Sequence, residues 1–223
     1  MSETPASAPT WLDLYDYRKR VAQMYRERER ALHGGEDEAA VSERFRAAKD
    51  ALFAEHPQSP LSTAARRGFK GLSYFPYDPT LRIEAVLTPE TGDDAPRLPA
   101  SGPHSILFRR AARAGFTLEN AWLELCIYWI DVYGGGLFLP FRDATNGTES
   151  YGGGRYLFDT VKGSDFVQTP NGIVLDFNYA YNPSCAYDAR WACPLAPPEN
   201  RLLLPIRAGE RRFAEGEAPA VQG

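Results

Sequence analysis

Apolar side chains recur at threes and fours over two stretches near the start of the chain, and at twos over most of the remainder. From Trp11 to about Leu32, Leu14, Tyr17, Val21 and Met24 share one face opposite the charged run YRERERAL, with Thr10 placed to cap and His33-Gly34-Gly35 to stop the turn. Val41, Phe45, Ala48 and Leu52 repeat the pattern between Glu38 and Glu55, and Pro57 ends it. These two helices are expected to pack as a hairpin.

Alternation then takes over. Leu81, Ile83, Ala85 and Leu87 mark a strand, and the polar stretch from Thr91 to Gly102 marks a surface loop. His104 to Arg113 and Phe116 to Leu118 read as a further strand or a hairpin around Ala114-Gly115. Trp122 to Val132 and Leu137 to Arg142 form two antiparallel strands joined at Gly134-Gly135-Gly136. After turns at Asn146-Gly147 and Asn171-Gly172 come strands at about Gly154 to Val161 and Ile173 to Asn178, the latter with Ile173, Leu175 and Phe177 pointing inward. Pro194, Pro197 and Pro198 enforce an extended path before a final strand from Arg201 to Ala208.

Loops of a few residues between strands favour antiparallel pairing over βαβ units. The expected fold is mainly β, α+β overall: an antiparallel β-barrel or β-sandwich preceded by a helical hairpin. Residues 1–10 and 211–223 are expected to be flexible tails, 11–56 the helical segment and 59–210 the β-rich domain.

Composition narrows the function. Hydrophobic residues make up 43% and charged residues 24% of the 223, as in globular domains. The formal charge of −4, from 29 acidic against 25 basic residues, argues against nucleic acid and anionic membranes as partners. The longest apolar run is interrupted by Glu124 and Asp131, and the N-terminus lacks an export pattern, so a cytoplasmic location is expected. Cys126, Cys185 and Cys193 are then expected as thiols, although a Cys185–Cys193 disulfide remains open on spacing alone. They do not complete a zinc set, and no metal site is expected.

Chemistry concentrates in FRDATNGTESYGGGRYLFD and VLDFNYAYNPSCAYDARWACPLAPPENR. Asp143, Glu149 and Asp176 are candidate acid/base carboxylates, with Asp159 nearby; in the alternative, Asp143 caps a turn and Asp176 pairs with Arg142 or Arg155. Cys185 is a candidate nucleophile only if something favours its thiolate; His104 is the histidine considered for that. Arg142, Arg155 and Arg201, with Asn146, Tyr151, Asn178, Tyr181, Asn182 and Asn200, form a candidate binding set for a polar or anionic small molecule, or a structural network locking the DFNYAYNPSCAY loop. GGGR at Gly152 to Arg155 lacks the lysine of a phosphate-binding loop.

FKGLSYFPYDP, FRDATNGTESYGGGRYLFD, LDFNYAYNPSCAYDARWACPLAPPENRL and IRAGE, in that order, resemble the bacterial and archaeal family catalogued as domain of unknown function 1684. The resemblance covers Ser59 to Glu210. It implies one compact β-rich domain with these motifs as hallmarks and assigns no reaction or cofactor. Three readings are open: a small-molecule pocket with carboxylate chemistry, a non-catalytic module whose N-terminal helices meet a protein partner, and a thiol redox protein.

Overall fold

The computed structural model describes residues 9–92, 98–102 and 107–213, so the expected terminal tails lie largely outside the described residues, as does His104. Helix α1 (Trp11–His33) begins in a capping box, in which Thr10 and Asp13 each satisfy the other's backbone N–H. Helix α2 (Glu38–Glu55) is capped by Asp37, whose carboxylate accepts from the Ala40 N–H at 2.8 Å. A short helix, α3 (Thr63–Arg67), comes next; at five residues it carries no apolar period from which it could be predicted. Among the described residues no helix is long and apolar enough to cross a membrane.

Among the described residues seven antiparallel strands form one sheet: β1 (Arg82–Pro89), β2 (Phe108–Leu118), β3 (Ala121–Ile130), β4 (Gly136–Phe141), β5 (Arg155–Asp159), β6 (Val167–Thr169) and β7 (Gly172–Asp176), in the order β5-β4-β3-β2-β1-β7-β6. The mainly β, antiparallel character expected from the alternation is what the chain adopts, as a single sheet curled into a half-barrel. Its curl brings the two ends of the order together: Phe158 of β5 packs on Phe166, just before β6, with ring centroids 4.6 Å apart.

Two expectations are corrected. Ala114-Gly115 is not a hairpin but mid-strand in β2, and the turn falls at Glu119-Asn120, both with positive φ (49° and 62°). Gly115 is needed there for a different reason, since a Cβ on it would lie 2.3 Å from the Trp122 ring across the strand pair. Arg201 to Ala208 is not a ladder strand either. It is an extended strap bridged to Arg142, and carbonyls that a strand would offer its neighbour turn instead to the Arg155 guanidinium.

The main core lies inside the curl and includes Ala85, Phe116, Leu125, Ile127, Leu139, Phe141, Ile173, Leu175 and Phe177. A second cluster, with Phe108, Cys126, Tyr128, Phe138 and Tyr156, covers the other face of β4 and of the middle of β3, so Leu125 to Tyr128 are buried on both sides while Trp122 and Trp129 stay exposed. The helical hairpin docks at one end, on the turns after β5 and β7: Phe45 stacks edge-on to Tyr179 at 4.9 Å, Phe53 to Tyr187 at 5.2 Å, and Gly163 approaches the α1 backbone at Arg18 and Ala22.

The two-residue β2–β3 turn has left-handed geometry but lacks the Asn-Gly pair that suits it best. Glu119→Asn combined with Asn120→Gly is expected to raise stability by about 1 kcal/mol in urea denaturation. A loss of stability would contradict the turn's placement.

Candidate functional site

Arg155 enters the protein from a left-handed glycine. Gly154 has φ +94°, and a Cβ there would meet the Phe141 carbonyl at 2.6 Å. The guanidinium that follows has no solvent exposure. Its Nη2 donates to Asp143 Oδ2 at 2.8 Å and to the Ile206 carbonyl at 2.7 Å; its Nη1 donates to the carbonyls of Ala208 and Glu210. Asp143 accepts in turn from the N–H groups of Thr145 (2.8 Å) and Ile206 (3.2 Å). Burial pulls the Arg155 pKa down, and Asp143 opposes it. The pair is a structural knot joining the FRDATNG turn, the GGGR strand start and the IRAGE strap.

The other candidates serve several separate environments. Asn146 accepts from the Asp143 N–H at 2.7 Å and donates to Ser150 Oγ and the Tyr151 carbonyl, closing its own turn. Glu149 faces solvent and pairs with Arg207 at 2.9 Å. Arg142 donates to the Gly152 carbonyl at 3.0 Å, and Arg201 is exposed. Asn200 is fully buried and ties three backbone groups of β3 and β4: it accepts from the Cys126 N–H and donates to the carbonyls of Cys126 and Pro140. Asn178 clamps both backbone groups of Asp78 and donates to Asp176. Asp176 pairs with neither Arg142 nor Arg155 but lies 3.7 Å from Arg82, and burial raises its pKa.

Tyr181 and Asn182 are different, because they line a cavity of about 80 Å³ beneath the helical hairpin. Tyr17, Val21 and Met24 of α1 and Phe45, Lys49 and Leu52 of α2 form one wall; Tyr156, Lys162, Ser164 and Tyr187 contribute to the other. At its edge sits an ion pair between a buried carboxylate and a half-buried lysine. Glu210 accepts from Lys49 Nζ, from the Tyr187 hydroxyl and from the Asn182 N–H at 2.8 Å. Lys49 Nζ also lies 4.7 Å from the centroid of the Tyr181 ring. The Tyr181 hydroxyl bonds Ser164 Oγ at 2.8 Å, and Asn182 Oδ1 is buried without a protein donor.

Burial raises the pKa of Tyr17, Tyr25, Tyr156, Tyr181 and Tyr187, so these phenols stay neutral. The wall is therefore aromatic and hydroxyl-bearing, with Lys49 as its half-buried cation and Lys162 as a more exposed one. The sequence did hold a signal for Lys49: it lies four residues after Phe45 and three before Leu52, a charge on an otherwise apolar helix face. Glu210 and Tyr187 carried none, because what marks them is contact across the fold.

Cys185 lies apart from this wall, in a loop tied back by Cys193. The Cys185 N–H donates to Cys193 Sγ at 3.3 Å, and the Tyr151 hydroxyl is 3.7 Å from Cys185 Sγ. Both are free thiols. Among the described residues no three His, Cys, Asp or Glu side chains gather as a metal cluster.

Fold and site together define a β-rich protein with an aromatic cavity closed by a helical hairpin. The chain belongs to the family described as protein of unknown function (DUF1684), which it matches over residues 67–211. It is similar to the solution structure of an uncharacterized protein from Haloarcula marismortui, with 36% identity and a TM-score of 0.56, over 78% of this chain and 94% of that one. No curated protein matches it. The matched segment holds the hallmark motifs and the sheet-side wall of the cavity, whereas α1 and α2 precede it.

Removing one partner of a fully buried ion pair leaves the other charge uncompensated. Arg155→Met is expected to cost about 3–5 kcal/mol in chemical denaturation. Glu149→Ala, at an exposed pair, should leave the midpoint where it is. Equal losses in both variants would contradict the separation of knot and surface.

Proposed function

We propose that the protein binds a small polar molecule in the cavity between the helical hairpin and the turns after β5 and β7. The observation that carries this reading is the Lys49–Glu210 ion pair at the edge of a mostly apolar, tyrosine-rich cavity. Glu210 takes one of the lysine's three N–H donors, and the ammonium also faces a ring. A ligand that presents a carbonyl or carboxylate oxygen to Lys49 and a flat or apolar body to Tyr17, Met24, Phe45 and Leu52 suits this lining.

Size limits the ligand further. A cavity of about 150 Å³ holds benzene, so one of about 80 Å³ takes a compact group of a few heavy atoms or the end of a longer molecule. Tyrosines held neutral act as hydrogen-bond donors rather than bases, which favours binding over proton abstraction at this wall. The hallmark motifs around Arg155, Asn178 and Asn200 support a structural network rather than a binding set, because their polar atoms are directed at backbone groups. The hairpin's role as a cavity wall likewise supports a binding function over protein docking for its inner face. Three free thiols accord with a reducing compartment such as the cytoplasm.

A thermal-shift screen of small carbonyl and carboxylate compounds tests the reading. A compound present at about a hundredfold excess over its dissociation constant should stabilise the wild type by about 2.7 kcal/mol. That shift should vanish in a folded Val21→Phe variant, which fills the cavity and keeps every charge. A shift of the same size in that variant would move the binding site elsewhere.

A further inference from the structure

Cys185 and Cys193 form an arrangement that the cavity does not use. Cys185 lies at the centre of a 3₁₀ turn (Ser184–Ala186), and its backbone N–H donates to Cys193 Sγ at 3.3 Å. Cys193 is held from its other side, where its N–H donates to Ser101 Oγ at 2.9 Å and its carbonyl accepts from the Ser101 N–H at 2.9 Å. Cys193 Sγ is thus held at the Cys185 backbone while the Cys193 backbone is anchored on Ser101. Both thiols are buried, whereas Ser101 and Tyr151, whose hydroxyls flank Cys185, are partly exposed.

We propose that Cys185 and Cys193 are a peroxide-reactive dithiol, with Cys185 the attacking sulfur and Cys193 the resolving one. The Cys185 thiolate attacks one oxygen of hydrogen peroxide; the S–O bond forms, the O–O bond breaks, and the departing hydroxide takes a proton to leave as water. The Tyr151 hydroxyl, 3.7 Å from Cys185 Sγ, and the Ser101 hydroxyl lie beside the reacting sulfur. Cys193 then gives up its proton and attacks the sulfenic sulfur; the S–S bond forms, the S–O bond breaks, and a second water leaves. Two thiols and one peroxide become one disulfide and two waters, with two electrons passing from sulfur to oxygen.

The electrostatics agree with the geometry. A hydrogen bond from the Cys193 thiol, with smaller help from Ser101 and Tyr151, outweighs burial and holds Cys185 below the usual thiol range, while the same interaction pushes Cys193 up. The two thiols titrate as a pair, in which losing the first proton makes the second harder to lose. Cys126 is the internal contrast, since burial pushes its thiol up to about 11.

The experiment uses the reduced full chain, treated with one equivalent of hydrogen peroxide near neutral pH. The titratable thiols should fall from three to one, the mass should fall by that of two hydrogens, and peptide mapping should join Cys185 to Cys193, with Cys126 alkylated. In Cys193→Ser, dimedone should trap a sulfenic acid at Cys185; in Cys185→Ser, no label should appear. Wild-type Cys185 alkylation should be lost only at a pH well below the usual thiol range. Three surviving thiols, a disulfide through Cys126, or dimedone labelling of Cys193 in preference to Cys185 would overturn the assignment. The wild-type thiol count and map decide the matter even if a variant fails to fold.

Discussion

A guanidinium with no access to water, held by one carboxylate and three backbone carbonyls, is the constraint around which the C-terminal half of this chain closes. A buried charge is costly unless it is paired and hydrogen-bonded; here Nη1 and Nη2 meet four acceptors while Nε has none, and most of the partners come from a strap more than fifty residues away, at Ile206, Ala208 and Glu210. The strap must therefore run where Arg155 needs it. Gly209 makes the path possible: it has φ +73°, and a Cβ on it would lie 2.4 Å from the Ala180 carbonyl. Glu210 is then delivered to the cavity edge with its backbone on Arg155 and its side chain on Lys49, Tyr187 and Asn182. Knot and cavity are thus joined through a single residue.

That linkage gives the two parts of the chain different tasks. Residues 67–211, the matched segment, build the half-barrel, the knot and one wall of the cavity. The hairpin before it supplies the other wall through Tyr17, Val21, Met24, Phe45, Lys49 and Leu52. The polarity of the cavity depends on a pair that spans the boundary, Lys49 from the hairpin and Glu210 from the strap.

Sequence periodicity made local order legible. The two helices arise from spacing at threes and fours, and Ile173, Leu175 and Phe177 are buried as their alternation implies. The alternation of Leu202, Ile206 and Ala208 with exposed Arg201, Leu203 and Arg207 is also real, yet the segment is no ladder strand, because a distant arginine takes its carbonyls. Ala114-Gly115 has turn-forming composition but serves cross-strand packing, while the turn itself uses Glu119-Asn120, which contains no glycine. Site residues were less legible still. An arginine beside Gly-Gly-Gly resembles an anion binder, and only its burial against backbone carbonyls gives it a structural role; Tyr181 and Asn182, from the DFNYAYNPSCAY motif, line the cavity instead.

If the hallmark polar residues lock the fold while ligand is taken under the hairpin, the two regions must respond differently to small molecules. Chemical-shift mapping by NMR of the labelled full chain, against a library of small carbonyl and carboxylate fragments, separates them residue by residue. The predicted result is a set of perturbations centred on Lys49, Ser164, Tyr181, Asn182 and Tyr187. Perturbations centred instead on Arg142, Glu149 and Arg201, with the cavity signals unmoved, would contradict that division.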